Sequence, residues 1–137
     1  MNNMKIVSSK KRIAINEDEN RVIEINPGNT LQRKKYYELF SKLEKIGKDL
    51  AIQSKGLDDV KDFDKIVVLE EQTFNSIAKE IDAVFGKGTI QKITEGEKDL
   101  EMLVQFFEGL TPYFQNYNKE KISKYGKLPK NKTGVMK

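Results

Sequence analysis

The 137-residue sequence predicts a mostly α-helical α+β domain: a small N-terminal β-hairpin followed by a bundle of three to four helices. Three observations carry that expectation. Two short arms near the start, "RIAIN" and "RVIEIN", alternate apolar and polar residues, as strands do. Three longer stretches carry apolar residues three and four apart, the spacing of one helix face. Gly, Pro, Asn and Asp clusters separate these stretches, as turn chemistry requires.

Residues 1–10 show no periodicity and are expected to be a flexible N-terminus. In the hairpin, Ile13 and Ile15 alternate on one arm and Ile23 and Ile25 on the other, with "EDEN" expected as the turn. A lone hairpin is marginally stable, so it must pack on the helices or pair with another chain. "NPGNT" breaks the strand, and Asn29 or Thr30 can cap the first helix, which is expected to end near Ser54. Tyr36, Leu39, Leu43, Ile46 and Leu50 form one apolar stripe on it. This stripe is surplus to a small core, and self-association through it is expected.

"SKGLDD" supplies Asp58 or Asp59 as a cap for a second helix, expected from about Val60 to Phe85. Its buried face should hold Val60, Phe63, Val67, Phe74, Ile77, Ile81 and Val84. After "GKGT", the segment "TIQKI" is expected to form one short turn before the last helix. That helix carries Leu100, Leu103, Val104, Phe106, Phe107 and Leu110. At Thr111-Pro112 the chain has a good N-cap followed by the residue favoured at the first helical position. A helix–kink–helix corner is therefore expected there, with Tyr113, Phe114 and Tyr117 continuing the apolar face to about Tyr125. The hairpin and bundle would form a single domain over 11–125, with a basic disordered tail over 126–137.

Composition narrows the chemistry. The chain has no Cys and no His, which removes disulfides, thiol nucleophiles, the commonest general base and the commonest zinc ligand. Its 37% hydrophobic and 34% charged residues fit a soluble domain. No apolar run approaches the length of a membrane span, and the start has no apolar h-region of a secretory signal, so the cytoplasm is the expected compartment. Charge is uneven: from Tyr117 onward seven lysines face one glutamate.

Three motifs invite chemistry, and each is incomplete. "FGKGT" lacks a phosphate-binding loop's first glycine, where Ile81 stands, and its Ser/Thr, where Gly88 stands; a dinucleotide turn would need glycine at Gln91. A helix C-cap with Gly86 or Gly88 at positive φ is the better reading. Glu70, Glu71, Glu80 and Asp82 are similar to the magnesium cluster of an all-α pyrophosphatase, a magnesium-dependent hydrolase, and Glu101 and Glu108 could add ligands. Phe74 stands where that motif needs a further glutamate, so solvated helix carboxylates are expected instead, with no metal site, no cofactor and no enzymatic activity. Lys119, Lys121, Lys124, Lys127, Lys130 and Lys132 could follow a nucleic-acid backbone while Tyr117 and Tyr125 stack on bases. Arginine is absent from that region, and a solubilising tail is the expected role. That leaves a protein-binding role. Leu103, Phe106, Phe107, Leu110, Tyr113 and Phe114 are the candidate partner-binding residues, with plain core as the alternative.

The segments "EIDAVFGKGT" (Glu80 to Thr89) and "VQFFEGLTPYF" (Val104 to Phe114), followed by a lysine-rich end, resemble the small tail assembly chaperones of long-tailed phages and prophages of Gram-positive bacteria. The likeness covers the last third to half of the chain, and its motifs are structural. It implies a protein that binds the tape measure protein, keeps that helical chain soluble and recruits tail tube subunits. Such a protein acts in the host cytoplasm, is absent from the mature virion, and in many phages also exists as a longer form made by ribosomal frameshifting.

Overall fold

The computed structural model describes residues 1–127. Residues 1–10 have no regular secondary structure and lie exposed. Two antiparallel strands follow, β1 (Lys11–Ile15) and β2 (Asp18–Ile25). The turn is tighter than expected. Asn16 and Glu17 alone make it, with φ of 53° and 61°, and the last three "EDEN" residues, Asp18 to Asn20, already belong to β2. Two successive left-handed residues match the twist of the strands they join, and asparagine tolerates that conformation best after glycine. Ile13 pairs with Ile23, and the register shifts after Ala14 so that Ile15 meets Asp18.

Helix α1 (Thr30–Ser54) starts where expected, because the Asn29 side chain accepts hydrogen bonds from the backbone N–H groups of Leu31 and Gln32. Just before it, the Asn26 N–H donates to the Gln32 side chain, folding the strand exit onto the first helical turn. Helix α2 is shorter than expected, Phe63–Phe85. Asp58 caps a preceding turn instead, accepting from the N–H groups of Val60 and Lys61 at 2.9 and 2.8 Å. Those two bonds hold its carboxyl below the usual carboxylate range. Gly86 and Gly88 both have positive φ, 113° and 90°, and close α2 as expected. Helix α3 (Thr89–Thr94) is the expected short turn. The Asp82 side chain accepts from the Ile90 N–H at its start.

Helix α4 (Leu100–Tyr117) corrects the expected corner: it runs on through Thr111 and Pro112 without a restart. Thr111 does not cap. Its hydroxyl donates to the Phe107 carbonyl one turn back, at 2.8 Å, and so is satisfied inside the helix. Pro112 leaves the Glu108 carbonyl without an intrahelical donor, but Glu108 lies on the exposed side. A π-helical turn (Asn118–Ile122) and a last turn, α5 (Ser123–Tyr125), extend the rod. Gly126 and Lys127 form a turn, and the rest of the expected basic tail, 128–137, lies outside the described residues.

The core joins all these layers. Ile23 and Ile25 from the hairpin meet Tyr36 and Leu39 of α1, Phe74 and Ile81 of α2, Ile93 of α3, and Leu103, Phe107, Leu110 and Phe114 of α4. Arg21 ties the outer side of β2 to α3, donating to the carbonyls of Lys92 and Ile93 at 2.7 and 2.9 Å and pairing with Glu95. Lys92 returns a bond to the Val22 carbonyl at 2.9 Å. The expected face of α2 is buried only in its second half. Phe74 and Ile81 are core, whereas Val60, Phe63 and Val67 are more than half exposed. At 1.5 Å per residue α1 spans about 37 Å and α2 about 35 Å, against about 27 Å for α4. Leu100, the first residue of α4, lies beside Thr73 and Ile77, so the distal ends of α1 and α2 project past it.

Candidate partner-binding groove

Helices α1 and α4 touch at one end and part at the other. At the closed end the Tyr36 ring stacks on Phe114, the Tyr36 hydroxyl bonds Thr111 Oγ1 at 2.6 Å, and Asn118 donates to the Tyr37 hydroxyl at 3.1 Å. Because Thr111 Oγ1 already gives its proton to Phe107, Tyr36 is the donor in the shared bond. Burial pushes the Tyr36 pKa above its ordinary value. Farther along, a groove of about 370 Å³ opens between α1, α2 and α4.

The groove is apolar. Phe40, Leu43, Gly47 and Leu50 form its α1 wall, Ile77 comes from α2, and Leu100, Leu103, Val104 and Phe107 come from α4. Glu44 and Glu108 stand on its rim. Phe40 is 40% exposed and Val104 46% exposed, so the two longest walls present apolar side chains to water. Gly47 is the key small residue: a Cβ placed there would meet nothing within 4 Å. A glycine mid-helix costs stability, and here it widens the groove.

The structure divides the residues singled out in the sequence. Leu103, Phe107, Leu110 and Phe114, expected to contact a partner, are core, each no more than 6% exposed. They point inward because α4 faces α1, α2 and the hairpin at once; Leu103 and Phe107 reach the groove only as its floor. Phe106 is half-buried, edge-on to Phe85 with ring centres 5.7 Å apart. Tyr113 is exposed, and with Phe106 and Leu110 it lines a second groove, of about 300 Å³, beside β1. The self-association stripe divides too. Tyr36 and Leu39 are 1% exposed and belong to the core, so they are not free for a second copy. Leu43 and Leu50 line the main groove, and Ile46 is half-buried. Sequence reasoning missed Phe40 and Gly47, and placed Val104 on the apolar face of α4 without counting it as a partner contact. The glycine inside an otherwise strong helical pattern was the available signal.

The carboxylates hold structural posts. Glu80 pairs with Lys42 at 3.1 Å, Glu71 with Lys98 at 3.8 Å, and Asp82 caps α3. Among the described residues no three Asp or Glu side chains gather closely enough to hold a metal ion. Near the C-terminal end Arg33 lies over the Tyr117 ring, 5.0 Å from its centre, and Tyr117 and Tyr125 share a hydroxyl–hydroxyl bond. Those two rings are thus engaged with the protein itself. No helix among the described residues is long and apolar enough to cross a membrane.

The fold and site together are those of a hairpin-capped helical domain with an open apolar groove. The chain belongs to a family of unknown function, DUF6673, which matches residues 23–134 and so takes in β2 from Ile23 onward and the whole of the groove. No curated protein matches the chain, and no solved structure does.

Proposed function

We propose that this protein is a tail assembly chaperone of a long-tailed phage or prophage, which binds a helical segment of the tape measure protein in the α1–α2–α4 groove. The observation that carries the binding role is the groove itself: an apolar channel, open to water, with Phe40 and Val104 on its walls and glutamates on its rim. Such a channel suits an amphipathic helix laying apolar anchors three and four residues apart. The tape measure protein as occupant rests on the resemblance of Glu80–Thr89 and Val104–Phe114 to the chaperone family. On this reading the protein works by binding without a catalytic step, in the host cytoplasm, recruits tail tube subunits, and is absent from the finished virion. A longer frameshifted form would carry the same groove.

Gene order provides the first test: a very long helical reading frame downstream and a tail tube gene upstream. The direct test is co-expression with that long protein. Wild type should keep it soluble and co-purify with it, while Val104→Asp, a change on the exposed wall, should fold and fail to do so. A downstream protein equally soluble without this chain would sink the proposal.

A further inference from the structure

The two edges of the hairpin are treated differently. The outer side of β2 is covered: Arg21 and Lys92 cross to and from α3, and the Val22 carbonyl is taken by Lys92. The outer edge of β1 is bare. Among the described residues no backbone or side-chain group outside the hairpin bonds to the main chain of Lys11–Ile15. A strand edge of unpaired N–H and C=O groups is a template for another strand. It also borders apolar surface. The second groove is lined by Ile13, Ala14 and Ile15, residues from both faces of the strand, so it runs along the edge, with Met102, Phe106 and Tyr113 opposite.

We infer that a second copy of this chain docks here, β1 against β1 in antiparallel fashion, to make one four-stranded sheet in the order β2-β1-β1-β2. Charge complementarity selects the occupant. Each β1 is entered through basic residues, Lys10, Lys11 and Arg12, and left through acidic ones, Glu17, Asp18 and Glu19. Antiparallel self-pairing brings the basic end of one copy beside the acidic end of the other, twice, about a two-fold axis. With the axis at Ala14, the acidic turn of each copy, with Glu17 and the Asp18 that begins β2, lies at the end of the new strand pair where the other copy's Lys10 and Lys11 enter. In the same register Ile13 stands opposite the partner's Ile15, so apolar residues continue the inner face over Met102, Phe106 and Tyr113. Ala14 meets its own copy on the outer face, where a small side chain allows close approach. A parallel pairing would set like charges side by side, which is unfavourable.

This inference rests on the hairpin and does not depend on the chaperone reading. It is tested by the mass of the full chain in sedimentation across a concentration series, using two charge-reversed variants. Wild type should reach about twice the 15.8 kDa chain mass. Lys10→Glu with Lys11→Glu places acid against acid, and Glu17→Lys with Glu19→Lys places base against base. Each should weaken self-association by about tenfold or more while leaving the circular dichroism spectrum unchanged. Mixing the two variants should restore the dimer, because each then supplies what the other lacks. A wild type that stays at chain mass throughout would overturn the inference, as would variants that dimerise like wild type or a mixture that stays monomeric. A variant that loses its helical spectrum would be replaced by the single changes Lys11→Glu and Glu17→Lys, read in the same way. Tape measure binding by a monomeric variant would leave the proposed function standing and the two questions separate.

Discussion

The rings of Tyr36 and Phe114 lie parallel within 3°, with centres 4.1 Å apart, and both are buried. This stack fastens the start of α1 to the end of α4, 78 residues later in the chain. It is the closed end from which the groove opens.

Phe114→Ala should therefore unfold the domain readily. Removing a fully buried phenylalanine costs about 3–5 kcal/mol, against a total of about 5–15 for a small domain. Urea denaturation should show that loss, and Phe107→Ala a similar one. Phe106→Ala, half-buried against Phe85, should cost less. A Phe114→Ala protein as stable as wild type would mean that α1 and α4 are not joined in this way.

Tyr36 gives stability a dependence on alkaline pH. Burial raises its pKa above the ordinary value of 10.0. Below that value the tyrosine is protonated in both folded and unfolded chains, and its contribution is complete. Above it the unfolded chain loses the proton while the folded chain keeps it, so stability falls until the pH passes the raised folded value. The fall from this group is at most about 1.4 kcal/mol per pH unit. Urea midpoints from about pH 8 to about pH 11 should drop more steeply for wild type than for Tyr36→Phe. Equal slopes would mean that the hydroxyl is not buried as described.

Pro112 sits in the interior of α4, on its exposed side. Replacing it with alanine restores a donor for the Glu108 carbonyl and removes a helix-interior proline. Pro112→Ala should raise stability by about 1–3 kcal/mol, offset in part by the freer unfolded chain. Thermal melting would show it. A lower melting temperature would indicate that proline shapes the turn in a way the core depends on.

Much of the fold was legible because its signals are local. Asn29 announced α1, Gly86 and Gly88 announced the end of α2, and the alternating isoleucines announced the hairpin. The errors came where one local signal competed with a longer-range one. Thr111-Pro112 carries the chemistry of a helix start, yet Tyr36 and the Phe107 carbonyl engage the Thr111 hydroxyl, and packing keeps the helix whole. Periodicity marked Phe63 and Val67 as apolar-face residues but could not show that α4 stops short of them. The site was harder still. Phe107 and Phe114 look like ligand-holding aromatics because aromatic content does not distinguish core from groove. What opens the groove is the parting of α1 and α4 beyond Tyr36, a tertiary property that Gly47 hints at only as a weak point in a strong helix.

Gly47 allows binding and folding to be separated. It lies mid-helix in α1 with helical backbone and open space above it. Gly47→Ala should add about 0.5–1 kcal/mol of stability, because alanine restricts the unfolded chain and favours helix, and it adds only one methyl to the groove. Gly47→Phe should also fold, since its ring can lie along Leu43, Leu50 and Leu100 in a space already apolar. That ring occupies the room a partner helix needs. If the proposed function holds, binding to the tape measure protein should then fall by tenfold or more, about 1.4 kcal/mol or above, while the melting temperature holds or rises. Calorimetric titration with a purified tape measure segment, paired with thermal melts of both variants, measures the two effects independently. If Gly47→Phe binds as tightly as wild type, the partner does not lie between α1 and α4. If it unfolds, the groove is narrower than its lining residues make it.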